Sequence, residues 1–367
     1  MGAKPLVIGL TGSIGCGKSS VMQTLIGLGA EGIDADKVAH AVSMSGLPAY
    51  AAVVADFGAG ILAPDGEIDR RKLGQRVFAD PAALARLEAI VHPAVNEAIR
   101  SQVAASRAPV VVIEAIKLLE AGLSRALCDE VWVVTCKPEQ QEERLAASRG
   151  MSAAEVARRR AAQMPPAEML NHADRVIDSQ GTPAATSLQV LVAWCDLGLP
   201  LPPPVIRPAT LADAGGIAAV IEAIIAEGGL TVLDHPFSLE EELAYLRSLE
   251  PRERIMVATV GDVLVAHQSL DLYAKYTHAM DHVGVLGTFV HKALRSQGLG
   301  RALSAATIDF ARGAGFRKFV ITVRADNPGA QAFYLSWGFR PCGRLVAQAF
   351  VNGREVDELL YEKFLEE

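Results

Sequence analysis

The sequence predicts two α/β units in tandem, and three observations carry that expectation. Its 367 residues exceed what one hydrophobic core usually supports. Short β-branched runs alternate with alanine-rich stretches of helical composition along the chain. Between Trp194 and Thr210 the stretch WCDLGLPLPPPVIRPAT holds Pro200, Pro202, Pro203 and Pro204, which cannot propagate a helix or a central strand and favour an extended spacer. The expected division is residues 1–199, a linker at 200–204, and residues 205–367. In the first half the runs Leu6 to Leu10, Val110 to Ile113, Val131 to Thr135 and Val176 to Ile177 read as a parallel sheet covered by helices. In the second, Ile255 to Val260, Val263 to Ser269, Val283 to Val290 and Lys318 to Val323 alternate with fewer helices and read as a mixed α/β domain.

Composition narrows the function. Apolar residues make up 50% and charged residues 21%, and the net charge of -7 leaves no electrostatic footprint for nucleic acid or an anionic membrane. Small-molecule partners are expected. The longest apolar stretches, such as Pro109 to Ile113, fall short of a membrane span, and the N-terminus lacks the basic region and cleavage site of a signal peptide, so a cytoplasmic location is expected. The five cysteines are scattered without metal-ligand spacing, which reads as reduced thiols.

The apolar run Leu6 to Leu10 leads into LTGSIGCGKSS, where Gly12, Gly17, Lys18 and Ser19 fit G-x-x-x-x-G-K-[ST]. A helical stretch ending at Gly29 follows, so the motif stands between strand and helix, the context it requires. Glycines let backbone N–H groups approach phosphates, the helix N-terminus adds positive potential, Lys18 reaches the β/γ oxygens, and Ser19 is placed to ligate Mg²⁺. The expected ATP contacts are Gly12, Ser13, Ile14, Gly15, Cys16, Gly17, Lys18, Ser19 and Ser20. GTPases, ATPases and small-molecule kinases all share this loop. A second strand-like segment, EGIDADKVAHAV, ends in Asp34 and Asp36. Asp36 reads equally as a helix cap or as the carboxylate that accepts a proton from a phosphoryl acceptor.

These residues resemble the dephospho-coenzyme A kinase family, a P-loop NTPase fold, through most of Leu6 to Leu191. LTGSIGCGKS and IDADKVAH are similar to that family's loop and acidic strand. APDGEIDRRKLGQRVFADPAALARLEAIVHPAV resembles its acceptor-binding region, and ADRVIDSQG its closing strand. The resemblance implies Asp36 as the base acting on the ribose 3′-hydroxyl of dephospho-CoA. It implies Asp34, Asp69, Arg70 and His92 around the acceptor, and Asp36 and Glu114 as further Mg²⁺ contacts. It also makes Glu139 to Gln163 a lid whose Arg144, Arg149 and Arg159, with Gln163, meet ATP; on composition alone this is an exposed helix of ion pairs. Glu114, Ile116, Lys117, Ser148 and Met169 depart from the family pattern.

In the second half, VIRPATLADAGGIAAVIEAII starts a strand and a helix opened by Asp213. VGVLGTFVHKALRSQGLGRALSAATIDFAR carries R-x-x-G-x-G as Arg295, Gly298 and Gly300 between strand and helix, where backbone N–H groups can hold a pyrophosphate. FVITVRADNPGAQAFYLSWGFRPCG follows. This order resembles the GNAT acyltransferase fold. The resemblance implies acetyl-CoA contacts at Val290, Arg295, Gln297, Gly298, Gly300, Asn327 and Tyr334, with Tyr334 near the thioester sulfur as general acid; as plain sequence, Tyr334 is equally a core aromatic. Glu241, Glu242, His267, Asp271 and His282 are open as the base for an amine acceptor.

The expectation is a fused enzyme using ATP, Mg²⁺ and acetyl-CoA: a dephospho-CoA kinase followed by an acetyltransferase acting on an unidentified amine. Two rivals stand beside it. One is a P-loop kinase of another nucleoside or nucleotide; the other makes the second half an acyl-CoA sensor without catalysis.

Overall fold

The β-branched runs of the first half become strands β1 (Leu6–Thr11), β3 (Val110–Glu114), β4 (Glu130–Thr135) and β5 (Arg175–Asp178), joined by a short β2 (Glu31–Asp34). They lie parallel in the order β2-β3-β1-β4-β5. Val7, Ile8, Val111 and Ile113 have no exposure, because helices cover both faces of a parallel sheet and its central strands need continuous apolar sequence. Helices α1 (Lys18–Gly27) and α2 (Ala35–Val42) follow β1 and β2. Between α2 and β3 the chain inserts α3 (Pro48–Phe57), α4 (Arg70–Phe78) and α5 (Pro81–Ala105), which gather their own apolar cluster around Val53, Phe57, Leu73 and Val77. The charge-rich stretch forms α6 (Pro138–Arg149) and α7 (Ala153–Ala161), followed by α8 (Pro166–Asn171). The loops after β1, β2 and β3 leave the carboxyl edge of the sheet, where open α/β sheets bind ligands.

This computed structural model describes residues 4–78, 80–119 and 125–365, with the side chain of residue 78 left aside. The chain divides into Met1–Gly181 and Thr182–Glu367. That division falls ahead of the proline stretch, not within it, because α9 (Pro183–Asp196) packs on α10 (Ala214–Glu227) and on β8 (Val263–Leu272). The indole of Trp194, fully buried, donates to the carbonyl of Pro200 at 3.1 Å, so the start of the proline run is held inside the second unit.

The remaining elements of that unit are β6 (Val205–Pro208), α11 (Leu239–Ser248), β7 (Arg254–Val260), β9 (Val283–Val290), α12 (Leu299–Gly313), β10 (Lys318–Arg324), α13 (Pro328–Ser336), β11 (Arg340–Val351) and β12 (Arg354–Phe364). Their sheet runs β11-β12-β10-β9-β8-β7-β6 and is antiparallel except where β9 meets β10. Those two strands pair from Lys318↔Val283 to Val320↔Val285 and then part, so the later residues of β9 lack a β10 partner. The parting opens a wedge in the middle of the sheet. On β8 the alternation puts His267, Ser269 and Asp271 on one face and Gln268 and Leu270 on the other.

Candidate active sites

The glycine loop after β1 has the backbone its sequence demands. Gly12, Gly15 and Gly17 carry φ of 145°, 78° and 88°, and Gly17 starts α1 from the left-handed region. A Cβ on Gly12 would lie 2.3 Å from the carbonyl oxygen of Val134, so only glycine fits against β4. The Lys18 ammonium is buried and donates to the carbonyls of Gly12 (2.7 Å) and Ser13 (3.1 Å), folding over the loop. The Cys16 thiol donates to Ser13 and Val134 carbonyls at 2.7 and 3.0 Å, and burial pushes it up to about 11, so it is a packing thiol.

The ambiguity at the acidic strand resolves. Asp34, not Asp36, caps α2, accepting from the N–H groups of Asp36 (3.0 Å) and Lys37 (3.1 Å). Asp36 is left with its carboxyl facing a cavity of about 450 Å³. Partial desolvation there and the neighbouring Asp34 raise its pKa, against the pull of Lys18 and Arg70. Glu114, at the end of β3, is raised for the same first reason, while Lys18 and a hydrogen bond with Ser19 oppose the shift.

The cavity brings Asp36, Arg70 and His92 together, with an apolar wall that includes Val53, Leu73 and Val91. Of the expected acceptor residues, Asp34 and Asp69 do not line it. Asp69 caps α4 instead, accepting from Arg71 and Lys72 N–H groups at 3.0 and 3.1 Å. Lys117, one of the departures from the family pattern, also lines it and pairs with Glu88 of α5 at 3.4 Å. Met169 is committed to the core against α2, α5 and β3.

Of the lid residues, Arg144 reaches the loop's surroundings: it donates to Ser179 Oγ (3.0 Å) and Ser179 carbonyl (2.6 Å), and Ser179 Oγ donates to the Cys16 carbonyl at 2.8 Å. Gln163 Oε1 accepts from the Ile14 N–H at 3.0 Å. Arg149 is exposed, and Arg159 forms a helix pair with Glu155 at 2.9 Å, the plainer of its two readings. Ser179 was not among the sequence's candidates, since its partners lie 35 and 163 residues away.

In the second unit the Arg295 guanidinium is committed to structure. It forks onto Glu227 at 2.5 and 2.8 Å and donates to the Val290 carbonyl at 3.0 Å, tying the loop to α10. Gly298, with φ of 87°, starts α12, and a Cβ on Gly300 would lie 3.1 Å from the Phe333 ring. The Gln297 amide returns to the Ala293 carbonyl. Asn327 caps α13 through Ala330 N–H and donates to the Leu230 carbonyl, so both ends of its amide are engaged. Tyr334 is buried, and its hydroxyl donates to Thr288 Oγ1 on the parted end of β9 at 2.8 Å. Burial pushes that phenol up to about 12.

Comparison with known proteins places each half of the chain beside a family. The family described as dephospho-CoA kinase matches residues 6–184, and the acetyltransferase (GNAT) family matches residues 223–339. A dephospho-CoA kinase of Symbiobacterium thermophilum is 46% identical over 191 residues, covering 51% of this chain and 80% of its own. One from Geobacter metallireducens is 45% identical over 192 residues, covering 52% and 95%. Among solved structures, the ribosomal-protein-alanine N-acetyltransferase of Brucella melitensis is 25% identical with a TM-score of 0.42, covering 44% of this chain and 99% of its own. The chain therefore belongs to the dephospho-CoA kinase family, and a GNAT acetyltransferase domain follows its kinase region.

Proposed function

We propose that the first unit transfers the γ-phosphoryl group of ATP to the ribose 3′-hydroxyl of dephospho-CoA, and that the second transfers acetyl from acetyl-CoA to an amine. The observation that carries the first reading is the division of labour between two aspartates: Asp34 caps the helix, so Asp36 keeps a carboxyl free at the cavity beside Lys18 and Arg70. Asp36 accepts the hydroxyl proton as the acceptor oxygen attacks phosphorus and the bond to the β-phosphate oxygen breaks. Lys18 and the loop N–H groups take up the charge on the phosphates, and Arg144 steadies the loop through Ser179. The hydroxyl of Ser19 with the carboxylates of Glu114 and Asp36 supplies hard oxygen donors suited to Mg²⁺, which neutralises phosphate charge when bound. Among the described residues no group of three or more His, Cys, Asp or Glu side chains is arranged to hold a metal. Arg70 and His92 face the acceptor in the same cavity.

For the second unit, the wedge between β9 and β10 accepts the pantetheine arm, and the start of α12 at Gly298 and Gly300 accepts the pyrophosphate. Tyr334 delivers a proton to the departing thiolate as the new C–N bond forms and the C–S bond breaks, and the proton lost from the amine nitrogen returns through solvent to the phenol. Purified chain with Mg-ATP and dephospho-CoA should yield CoA and ADP, resolved chromatographically; turnover of other nucleosides with dephospho-CoA untouched would refute the kinase assignment. Acetyl-CoA binding without thiol release across a broad amine screen would refute the transferase and favour an acyl-CoA sensor.

A further inference from the structure

The packing of the second unit separates the candidate proton acceptors from one another. Glu241 is committed to the start of α11: its carboxylate accepts from Ser238 N–H and Oγ, both at 2.8 Å. His267 is buried, stacked on Phe289 at 4.8 Å, and burial holds it neutral at about 3. Glu242 has no such employment. It is 3% exposed, and its Oε1 has no hydrogen-bond partner. A buried carboxyl oxygen without a partner is costly, and one kept in a folded chain calls for a ligand that completes it.

One helical turn further on, Tyr245 donates to Asp271 Oδ1 at 2.6 Å. Glu242 and Asp271 both act on this phenol, pushing its pKa up after burial itself, so the three side chains share one environment. Among the described residues neither carboxyl forms an ion pair; the Lys275 ammonium, held by Glu253 at 2.7 Å, acts on Asp271 only from a distance. Asp271 shares its face of β8 with Ser269, and Ser269 stands opposite Gly287 on β9. A Cβ on Gly287 would come within 3.1 Å of Ser269 Oγ, so the glycine keeps this face open beside the end of β9 that has left β10.

We propose that Glu242 and Asp271, with Tyr245 beside both, form the recognition site for the acetyl acceptor and select a cationic alkylamine, a diamine in preference to an amino acid whose carboxylate they cannot pair. This rests on the acetyltransferase reading of the second unit. Two carboxyls and a phenolic oxygen in a largely buried site favour an ammonium group strongly, because charge-assisted hydrogen bonds gain most where water is excluded.

The test uses the full chain with 1,4-diaminobutane and L-alanine as probes. Calorimetry measures diamine binding to the parent chain, Glu242→Gln and Asp271→Asn, and acetyl-CoA binding serves as the check that each variant is folded. Thiol release measures acetyl transfer to each amine. The expected result is diamine binding at least tenfold weaker in either variant with acetyl-CoA affinity unchanged, and kcat/KM for the diamine at least tenfold above that for alanine. Absence of diamine binding to the parent chain, or equal binding by Glu242→Gln, overturns the site. Alanine acetylated as well as the diamine, and unaffected by Glu242→Gln, overturns it while leaving the transferase standing. Diamine binding that needs Glu242, with no thiol released, keeps the cation site and overturns the transferase.

Discussion

Two buried groups in the second unit should pull its stability in opposite directions with pH, so replacing either exposes the other. Burial moves Glu242 from 4.5 up to about 7 and His267 from 6.5 down to about 3. Glu242 is favoured protonated, so its contribution is complete below pH 4.5 and is lost as the pH rises through 7. His267 is favoured neutral, so its contribution is complete above pH 6.5 and is lost as the pH falls towards 3. One pKa unit corresponds to about 1.4 kcal/mol, which gives each group about 2 kcal/mol between pH 7 and pH 5, with opposite sign. In the parent chain the two nearly cancel. Glu242→Gln should therefore lose about 2 kcal/mol relative to the parent on acidification from pH 7 to pH 5, and His267→Gln should gain about as much. For a unit of this size that is about 4–8 °C in transition temperature. Scanning calorimetry of the full chain reads it in the transition that acetyl-CoA displaces and ATP does not. Variant and parent curves that stay parallel from pH 5 to pH 7 would refute the reasoning, because they would mean that neither group titrates differently on folding.

Asp36→Asn should lower the kinase kcat by about 10²- to 10⁴-fold with Mg-ATP affinity unchanged, read by rapid-quench turnover and nucleotide binding. Gly12→Ala places a Cβ 2.3 Å from the Val134 carbonyl oxygen; it should destabilise the first unit by about 2 kcal/mol and abolish ATP binding while acetyl-CoA binding persists. Tyr334→Phe removes the bond to Thr288. It should cost about 1 kcal/mol of stability and slow acetyl transfer about tenfold or more without weakening acetyl-CoA binding, measured by thiol release against calorimetry.

What the sequence made legible follows the range of the physics involved. The loop from Gly12 to Ser20 was readable because its chemistry is local: glycine conformations, N–H groups and one lysine within nine residues. The strands of the first sheet were readable because parallel strands buried on both faces need unbroken apolar runs, as at Val110 to Ile113. The two aspartates could not be separated by inspection, since either fits a helix start, and only the position of the first turn of α2 assigns the cap to Asp34. Ser179 was invisible for the opposite reason, because its role depends on Arg144 and on a carbonyl in the glycine loop that folding brings to it. In β11 the pairing with β12 slips between Pro341 and Gly343 and again between Leu345 and Ala349, so no steady alternation marks that strand. The compact units part ahead of the prolines, because composition marks where a chain is stiff, whereas α9 is assigned by the surface it covers.

The chemistry of the two proposed reactions limits how they relate. Phosphorylation of dephospho-CoA yields CoA with a free thiol, and acetyl transfer to an amine releases the same molecule. The product of the first reaction is thus the second product of the other, not its substrate. Direct passage of CoA from kinase to transferase would deliver an inhibitor, and a separate acylation of the thiol must come between them. The free thiol form carries the same pyrophosphate that the start of α12 is proposed to hold, and it lacks only the acetyl group. CoA should therefore compete with acetyl-CoA at the proposed transferase site.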